Sequence, residues 1–138
     1  MSEIITNKLT GKTAAGNVTI TSEGGDATMQ LQQGLAKCWI NFQGSSTITT
    51  RDSLNVASMT DDGTGLYTIT FTDSFSNNDY AGSGYSRTPG VVSGGAIQIP
   101  STTDANAATG TVQFYSVGTS GSAADFSHVS LLLHGDLA

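Results

Sequence analysis

The sequence is poor in charged side chains of both signs, and this shortage limits the partners that the chain can bind. Only 12% of its 138 residues are charged, against about a quarter in an average globular chain. The five Lys and Arg residues are scattered and the net charge is −6, whereas a surface that follows nucleic-acid phosphates needs clustered cations. We therefore expect no nucleic-acid partner.

The chain also contains a single cysteine and lacks long apolar runs. One cysteine, Cys38, excludes an intrachain disulfide and any site built from several thiolates. Its position beside Trp39 in an alternating segment indicates a small buried residue. No apolar run approaches the length that crosses a bilayer, and residues 1–5 lack the basic start and long apolar segment of a signal peptide. We expect synthesis in a cytoplasm and no membrane insertion.

Most of the polar residues are uncharged, namely Thr, Ser, Gly, Asn and Gln. Several segments of the chain alternate apolar residues with these polar ones. Cys38, Ile40 and Phe42 share one face of a strand, while Trp39 and Asn41 share the other. The same period of two recurs in residues 53–57, 66–71, 111–117 and 126–134. The Asp-Gly step within residues 60–65 predicts a hairpin turn between segments 53–57 and 66–71.

These segments predict an all-β fold, an antiparallel β-sandwich or jelly roll of about seven to nine strands with almost no helix. The domain is expected to cover residues 34–138. Residues 81–95 are rich in Gly and Ser, so we expect a loop there with a brief strand at Val91 and Val92.

Residues 1–33 are expected to form a separate N-terminal arm, because they contain too few large apolar residues to build a core. Val18 and Ile20 alternate with Thr and predict a strand edge that pairs with a neighbouring subunit or particle. Residues 27–33, with Met29 and Leu31, are expected to form about one helical turn before the domain. These four apolar residues are the candidate residues for anchoring or for association into a homotrimer.

A search for catalytic and metal-binding residues finds little. His128 and His134 project from the same face of one strand, but six residues of extended chain separate them by about 20 Å, too far to share one ion. Asp61 and Asp62 could suggest calcium, although an Asp-Gly step is an ordinary hairpin turn. No nucleophile elbow and no phosphate-binding loop is found. We predict no catalytic residue, no metal, no cofactor and no enzymatic activity.

Two tyrosines are candidates for a recognition surface. Most aromatic side chains of a small β-domain belong to the core. Tyr80 and Tyr85 lie in or next to the glycine-rich segment, however, and are expected to be exposed on a loop, where their rings could stack on a sugar.

Four short motifs together resemble a module found in small virion proteins and tail-fibre tips of tailed bacteriophages, particularly phages of cyanobacteria and other aquatic bacteria. The module has the pattern AKxWxNF, RDSxNV, DxGTGxYT and a closing NAxY. Cys38 departs from it, since a small or aliphatic residue is usual there. The motifs stand here as Ala36–Phe42 and Arg51–Val56, then as Asp62–Thr68 over the last seven positions of the third pattern, and finally as Asn78–Tyr80.

The resemblance implies a structural protein of a phage virion that is made in the host cytoplasm. The expected role is a small trimeric capsid decoration or cement protein, or a short fibre protein, on the particle surface. Its expected partners are its own copies and other virion proteins, such as the major capsid protein or tail and fibre proteins. The alternative is a tail-fibre receptor-binding tip that recognises a host surface glycan.

Overall fold

The strands of the protein belong to two units that share no sheet. The computed structural model describes residues 4–12, 18–22, 24–25, 27–88, 94–100 and 106–138. Its internal contacts divide the chain into Met1–Leu35 and Ala36–Ala138, here called the N-terminal unit and the C-terminal unit. The sequence prediction places this boundary two residues earlier, after residue 33.

The N-terminal unit contains one β-hairpin. Strand β1 (Thr19–Thr21) pairs antiparallel with strand β2 (Thr28–Gln30), and Gly25 in the connection has a φ of 78°, which favours glycine. The helical turn expected over residues 27–33 is wrong, because the first half of this segment is a strand. Its pairing with Thr19–Thr21 provides hydrogen-bond partners for backbone N–H and C=O groups, which in a helix would bond to each other within the segment.

The C-terminal unit is a single antiparallel sheet of eight strands that nearly closes on itself like a barrel. The prediction of an all-β antiparallel fold is confirmed, whereas a jelly-roll arrangement is not. The spatial order is β4-β3-β10-β7-β8-β9-β6-β5. The strands are β3 (Cys38–Gln43), β4 (Thr49–Leu54), β5 (Val56–Gly63), β6 (Leu66–Phe71), β7 (Ala81–Arg87), β8 (Gly95–Gln98), β9 (Thr111–Val117) and β10 (His128–His134).

A single residue, Asn55, joins the two edge strands of this sheet. Its φ of 58° lies in the left-handed region, which Asn tolerates better than most residues. Its side-chain amide donates to the carbonyl of Asp73 at 3.0 Å, and the Asp73 N–H donates back to its side-chain oxygen at 2.7 Å. One strand through residues 53–57 is the sequence expectation, and it is wrong, because the chain turns a corner at Asn55 and changes its pairing partner.

The inward faces of the strands form the hydrophobic core. Phe42 is 0% exposed, and its ring packs edge-on against Tyr67 with 4.9 Å between ring centroids. The alternation read from the sequence predicts these positions, and the structure confirms it. The core residues contributed by strands β3, β6, β9 and β10 are Cys38, Ile40, Phe42, Tyr67, Ile69, Phe71, Val112, Phe114, Val129, Leu131 and Leu133.

Strand β7 runs through the segment for which the sequence predicts a loop. Its glycines allow neighbouring side chains to approach: a Cβ at Gly82 would lie 2.9 Å from a Leu133 methyl group, and one at Gly84 would lie 2.6 Å from Ile97. Glycine at these two inward positions therefore lets the strand approach Leu133 and Ile97 closely, and the third inward position carries the small, buried Ser86. The brief strand expected at Val91 and Val92 lies outside the described residues.

A hydrogen-bonded group fixes one end of the sheet. The Asp125 carboxylate accepts from the Gly65 N–H at 2.6 Å, and the Tyr67 hydroxyl lies 3.2 Å from the same oxygen and 3.0 Å from the carbonyl of Gly44. Burial, together with the nearby Asp125 charge, raises the pKa of Tyr67 well above its ordinary value. The phenol therefore stays protonated and holds two loops against the core.

Candidate functional site

A shallow groove crosses the outer face of three adjacent strands, β3, β10 and β7. Its volume is about 370 Å³. The register places Trp39, Leu132 and Ser83 in one row across the three strands. The next row, two residues further along each strand, contains Asn41, Ser130 and Tyr85. Since residues two apart project from the same face, both rows point outward and line the groove.

The chemistry of these six side chains is aromatic at two corners and polar between them. Trp39 and Tyr85 stand on β3 and β7 and in different rows, so they are about 10 Å apart across the strands and about 7 Å apart along them. Tyr85 is 48% exposed. Between them, the Asn41 amide donates a hydrogen bond of 2.6 Å to the Ser130 hydroxyl. The groove therefore offers two aromatic rings, one aliphatic floor residue and several hydroxyl and amide groups.

Three cationic or titratable side chains lie beside the second row, and we call Arg51, Arg87 and His128 the cationic cluster. Arg87 pairs with His128 across β7 and β10, two residues beyond the pair of Tyr85 with Ser130. Arg51 donates to the carbonyl of Ser127 at 2.6 Å, next to His128 in the chain. Partial burial and the charges of Arg51 and Arg87 lower the pKa of His128 below its ordinary value.

The four candidate arm residues come together on one face of the N-terminal hairpin. Ile20 pairs with Met29, and the Leu31 N–H donates to the carbonyl of Val18 at 2.7 Å, which extends the ladder by one pair. We call these four residues the hairpin face. Ile20 and Met29 are 44% and 51% exposed. The Val18–Ile20 segment, expected to pair with a neighbouring subunit or particle, pairs along one side with β2 of its own unit.

Of the two candidate recognition tyrosines, only Tyr85 is exposed, and it lies on a strand rather than a loop. The expected exposure of Tyr80 is wrong. Its ring packs against Phe75 with 4.7 Å between centroids, and its hydroxyl lies 3.3 Å from the carbonyl of Thr111. Burial raises the pKa of Tyr80 to about 12. Tyr80 therefore packs against the core, whereas its closeness to the glycine-rich segment predicts an exposed ring.

The other candidate residues are distributed as follows. His128 and His134 lie at opposite ends of β10 and on its outer face, as the sequence predicts. Asp61 accepts from the Gly63 N–H at 3.1 Å within the hairpin turn, and Asp62 accepts from the Thr68 hydroxyl at 2.5 Å. Within the described ranges, no three His, Cys, Asp or Glu residues are grouped so that they could hold a metal ion.

Cys38 is buried at the start of β3, as its sequence context predicts. It is 0% exposed, and burial raises the pKa of its thiol to about 12. Because the thiolate is the reactive form, this thiol is inert near neutral pH.

The sequence reading placed Trp39 and Asn41 on one face of a strand but did not find the groove. Ser130 and Leu132 contribute to the same rows from a strand that is about ninety residues later in the chain. Their alternation with Val129 and Leu131 was a usable signal for an outward face. The order of strands in the sheet, which brings the two faces together, leaves no signal of that kind.

Comparisons of the chain with protein-family models, with curated proteins and with solved structures gave no match. No helix within the described part of the chain is long and apolar enough to cross a membrane.

Proposed function

We propose that the chain is a non-enzymatic structural protein of a tailed-phage virion, which assembles through its N-terminal unit. The role is that of a small capsid decoration or cement protein, or of a short fibre protein, and the assembly is a homotrimer. The four sequence motifs support the virion role. The hairpin face is the single structural observation that supports assembly.

The exposed apolar side chains are unevenly distributed along the chain. Nine large apolar side chains are exposed among the described residues, and six of them belong to the first 35 residues, a quarter of the chain. Apolar area exposed to water costs about 25 cal/mol for each Å² that a contact could cover. A contact through the N-terminal unit therefore gains more than one through an average part of the surface. The six are Ile4, Ile5, Leu9, Ile20, Met29 and Leu35.

The hairpin also has a structural need for a partner. An isolated two-stranded hairpin is only marginally stable in water, and it becomes stable when a hydrophobic face is covered. Its other face carries Thr19, Thr21, Thr28 and Gln30, so one side suits a contact and the other suits solvent. Several copies joined at their hairpin faces would also present several attachment points to one particle, which raises the overall affinity.

Light scattering coupled to size exclusion tests the assembly. The wild type should elute with about three times the 14.1 kDa mass of one chain. The double variant Ile20→Asn/Met29→Gln should elute as a single chain. Leu54→Gln is the matched control, because Leu54 is 47% exposed but belongs to the C-terminal unit. A wild type that stays monomeric at micromolar concentration, or a control that dissociates equally, would refute assembly through the hairpin face.

Mass spectrometry of purified phage particles tests the virion role. A decoration or cement protein should be present in many copies per particle, in a fixed ratio to the major capsid protein. Absence from the particles would overturn the proposal, and a low copy number would move it from the capsid to a fibre.

The outer groove favours a second candidate function, recognition of a host surface glycan by a fibre tip. Aromatic rings with interleaved hydroxyl and amide groups suit a sugar, whose ring has apolar C–H faces and polar edges. This function would use the C-terminal unit, so it is compatible with assembly through the N-terminal unit.

A further inference from the structure

We infer that the outer groove is a binding site for an acidic sugar, that is, a pyranose ring carrying a carboxylate. The ring would lie over Leu132 between Trp39 and Tyr85, and the carboxylate would point to the cationic cluster. The inference rests on the second candidate function and names its ligand class, while assembly through the hairpin face does not depend on it.

The charge beside the groove differs in sign from the net charge of the chain. The chain has a net charge of −6 and only five Lys and Arg residues, yet two of these five stand beside the same groove. The residues that line the groove are themselves uncharged. The site is thus a neutral aromatic platform with a positive end, in a protein whose total charge repels anions.

The cationic cluster lies within reach of a ligand in the groove. Same-face residues in successive rows are about 7 Å apart along a strand. Arg87 is one row beyond Tyr85, and His128 is one row beyond Ser130. A ligand that stacks over the first two rows therefore reaches the cationic cluster with a substituent one or two bonds beyond its ring. A carboxylate on a sugar ring has this geometry.

The Arg51 guanidinium can form further hydrogen bonds with a ligand. Arg51 uses Nη2 for the carbonyl of Ser127, and its side chain lies 3.5 Å from the Gln43 amide oxygen. A guanidinium has five N–H donors, so donors remain for a carboxylate. Hydrogen bonds between ionised partners are about twice as strong as neutral ones, which makes the carboxylate the group that decides between ligands.

The acidic residue Asp52 also adjoins the groove. Asp52 pairs with Asn41 on the side away from Ser130, so its carboxylate projects from the same face, one strand further out. It opposes the two arginines and weakens the attraction for an anion. Removing its charge should therefore strengthen the binding of an acidic sugar and leave the binding of a neutral sugar unchanged.

Titration of the full-length chain by NMR tests this inference, with glucuronate, glucose and acetate as three separate ligands. Glucuronate should bind about tenfold or more tightly than glucose, because the preference comes from charged hydrogen bonds. Acetate should bind more weakly than glucuronate, because it has no ring to stack. Glucuronate should shift the amide signals of β3, β7 and β10.

Four variants separate the contributions. Arg87→Gln should remove most of the preference for glucuronate over glucose. Tyr85→Ala should weaken the binding of both sugars. Asp52→Asn should strengthen the binding of glucuronate and leave the binding of glucose unchanged. Tyr115→Ala is the matched control, because Tyr115 lies on the outer face of β9, away from the groove, and should change neither affinity.

The possible failures are distinguishable from one another. Glucose bound as tightly as glucuronate would overturn the inference while keeping a glycan-binding function. Acetate bound as tightly as glucuronate would show that the site attracts any carboxylate without recognising a sugar ring, and this would also overturn the inference. No binding by either sugar would refute both the inference and the glycan-binding candidate, and it would leave the assembly proposal untouched.

Discussion

The N-terminal unit and the C-terminal unit both contain paired strands with alternating apolar residues, yet these residues have different surroundings in the two. Ile20 and Met29 face each other across the hairpin and are about half exposed. Ile69 and Val112 face each other across β6 and β9 and are 0% exposed. The difference comes from the rest of the sheet, because eight strands can curl until one face covers itself and two strands cannot.

This comparison shows what alternation does and does not establish. A period of two indicates which residues share a face, and it does so correctly in both units. Whether that face is buried depends on a second layer, which the C-terminal unit supplies from its own sheet. For the N-terminal unit, the proposed second layer is another copy of the chain.

The largest expected loss of stability comes from a substitution in the core of the C-terminal unit. Phe42→Ala removes a ring that packs edge-on against Tyr67 and Phe114, and it should lower the free energy of unfolding by about 3–5 kcal/mol. Urea unfolding followed by Trp39 fluorescence measures it. Ile20→Ala is the control from the N-terminal unit and should change the same transition by less than about 0.5 kcal/mol. Equal losses in the two variants would contradict the comparison.

A second prediction compares a glycine from each unit. Gly65 has a φ of 64°, and a Cβ there would lie 2.6 Å from the backbone nitrogen of Ala124. Gly65→Ala should therefore cost about 2–4 kcal/mol, from the left-handed conformation and the overpacking together. Gly24, in the hairpin connection, has open space at its Cβ position. Gly24→Ala should be nearly neutral in the same urea titration, and a cost comparable to that of Gly65→Ala would show that space is not the deciding factor.

Next in size is the effect of one hydroxyl group. Tyr67→Phe keeps the buried ring but removes the contacts with Gly44 and Asp125, and it should cost about 1–2 kcal/mol. Tyr115→Phe, on the outer face, is the matched control and should cost less.

The same variant predicts a pH effect with a definite sign. Because the pKa of Tyr67 is raised in the folded state, its contribution to stability is complete below its unfolded pKa, about 10, and is lost as the pH rises further. Cys38 and Tyr80, whose pKa values are raised to about 12, contribute in the same direction. Tyr67→Phe should therefore unfold with a weaker pH dependence above pH 10 than the wild type. An unchanged dependence would show that the phenol of Tyr67 titrates normally.

Much of the fold could be predicted from the sequence, and the reasons for the failures are physical. The inward sets on β3, β6, β9 and β10 follow from alternation. Strand β7 was missed because Gly82 and Gly84 provide no apolar signal, although their lack of side chains is what lets Leu133 and Ile97 pack there. The corner at Asn55 was missed because its neighbours continue the alternation through the turn.

The candidate site was less predictable than the fold. Tyr85 was found by its aromatic character, but Tyr80 was misplaced because sequence context does not distinguish a ring that packs inward from one that points out. The groove itself depends on β3 and β7 lying on either side of β10. That order is decided by pairing over long sequence distances, which a local pattern does not contain.

The smallest expected effect concerns the charge on the outer face of the C-terminal unit. Partial burial and the charges of Arg51 and Arg87 hold the pKa of His128 below its ordinary value. Arg87→Gln should therefore raise this pKa, measured from the His128 ring signals in an NMR titration. Lys37→Gln removes the same amount of charge next to Cys38, which pairs with Leu133 at the opposite end of β10 from His128, and it should leave the His128 pKa unchanged. If both variants raised it equally, the net charge of the chain would control His128, and the cationic cluster would have no local effect. If only Arg87→Gln raised it, the guanidinium would be close enough to act on a ligand bound beside Ser130, where the acidic-sugar inference needs it.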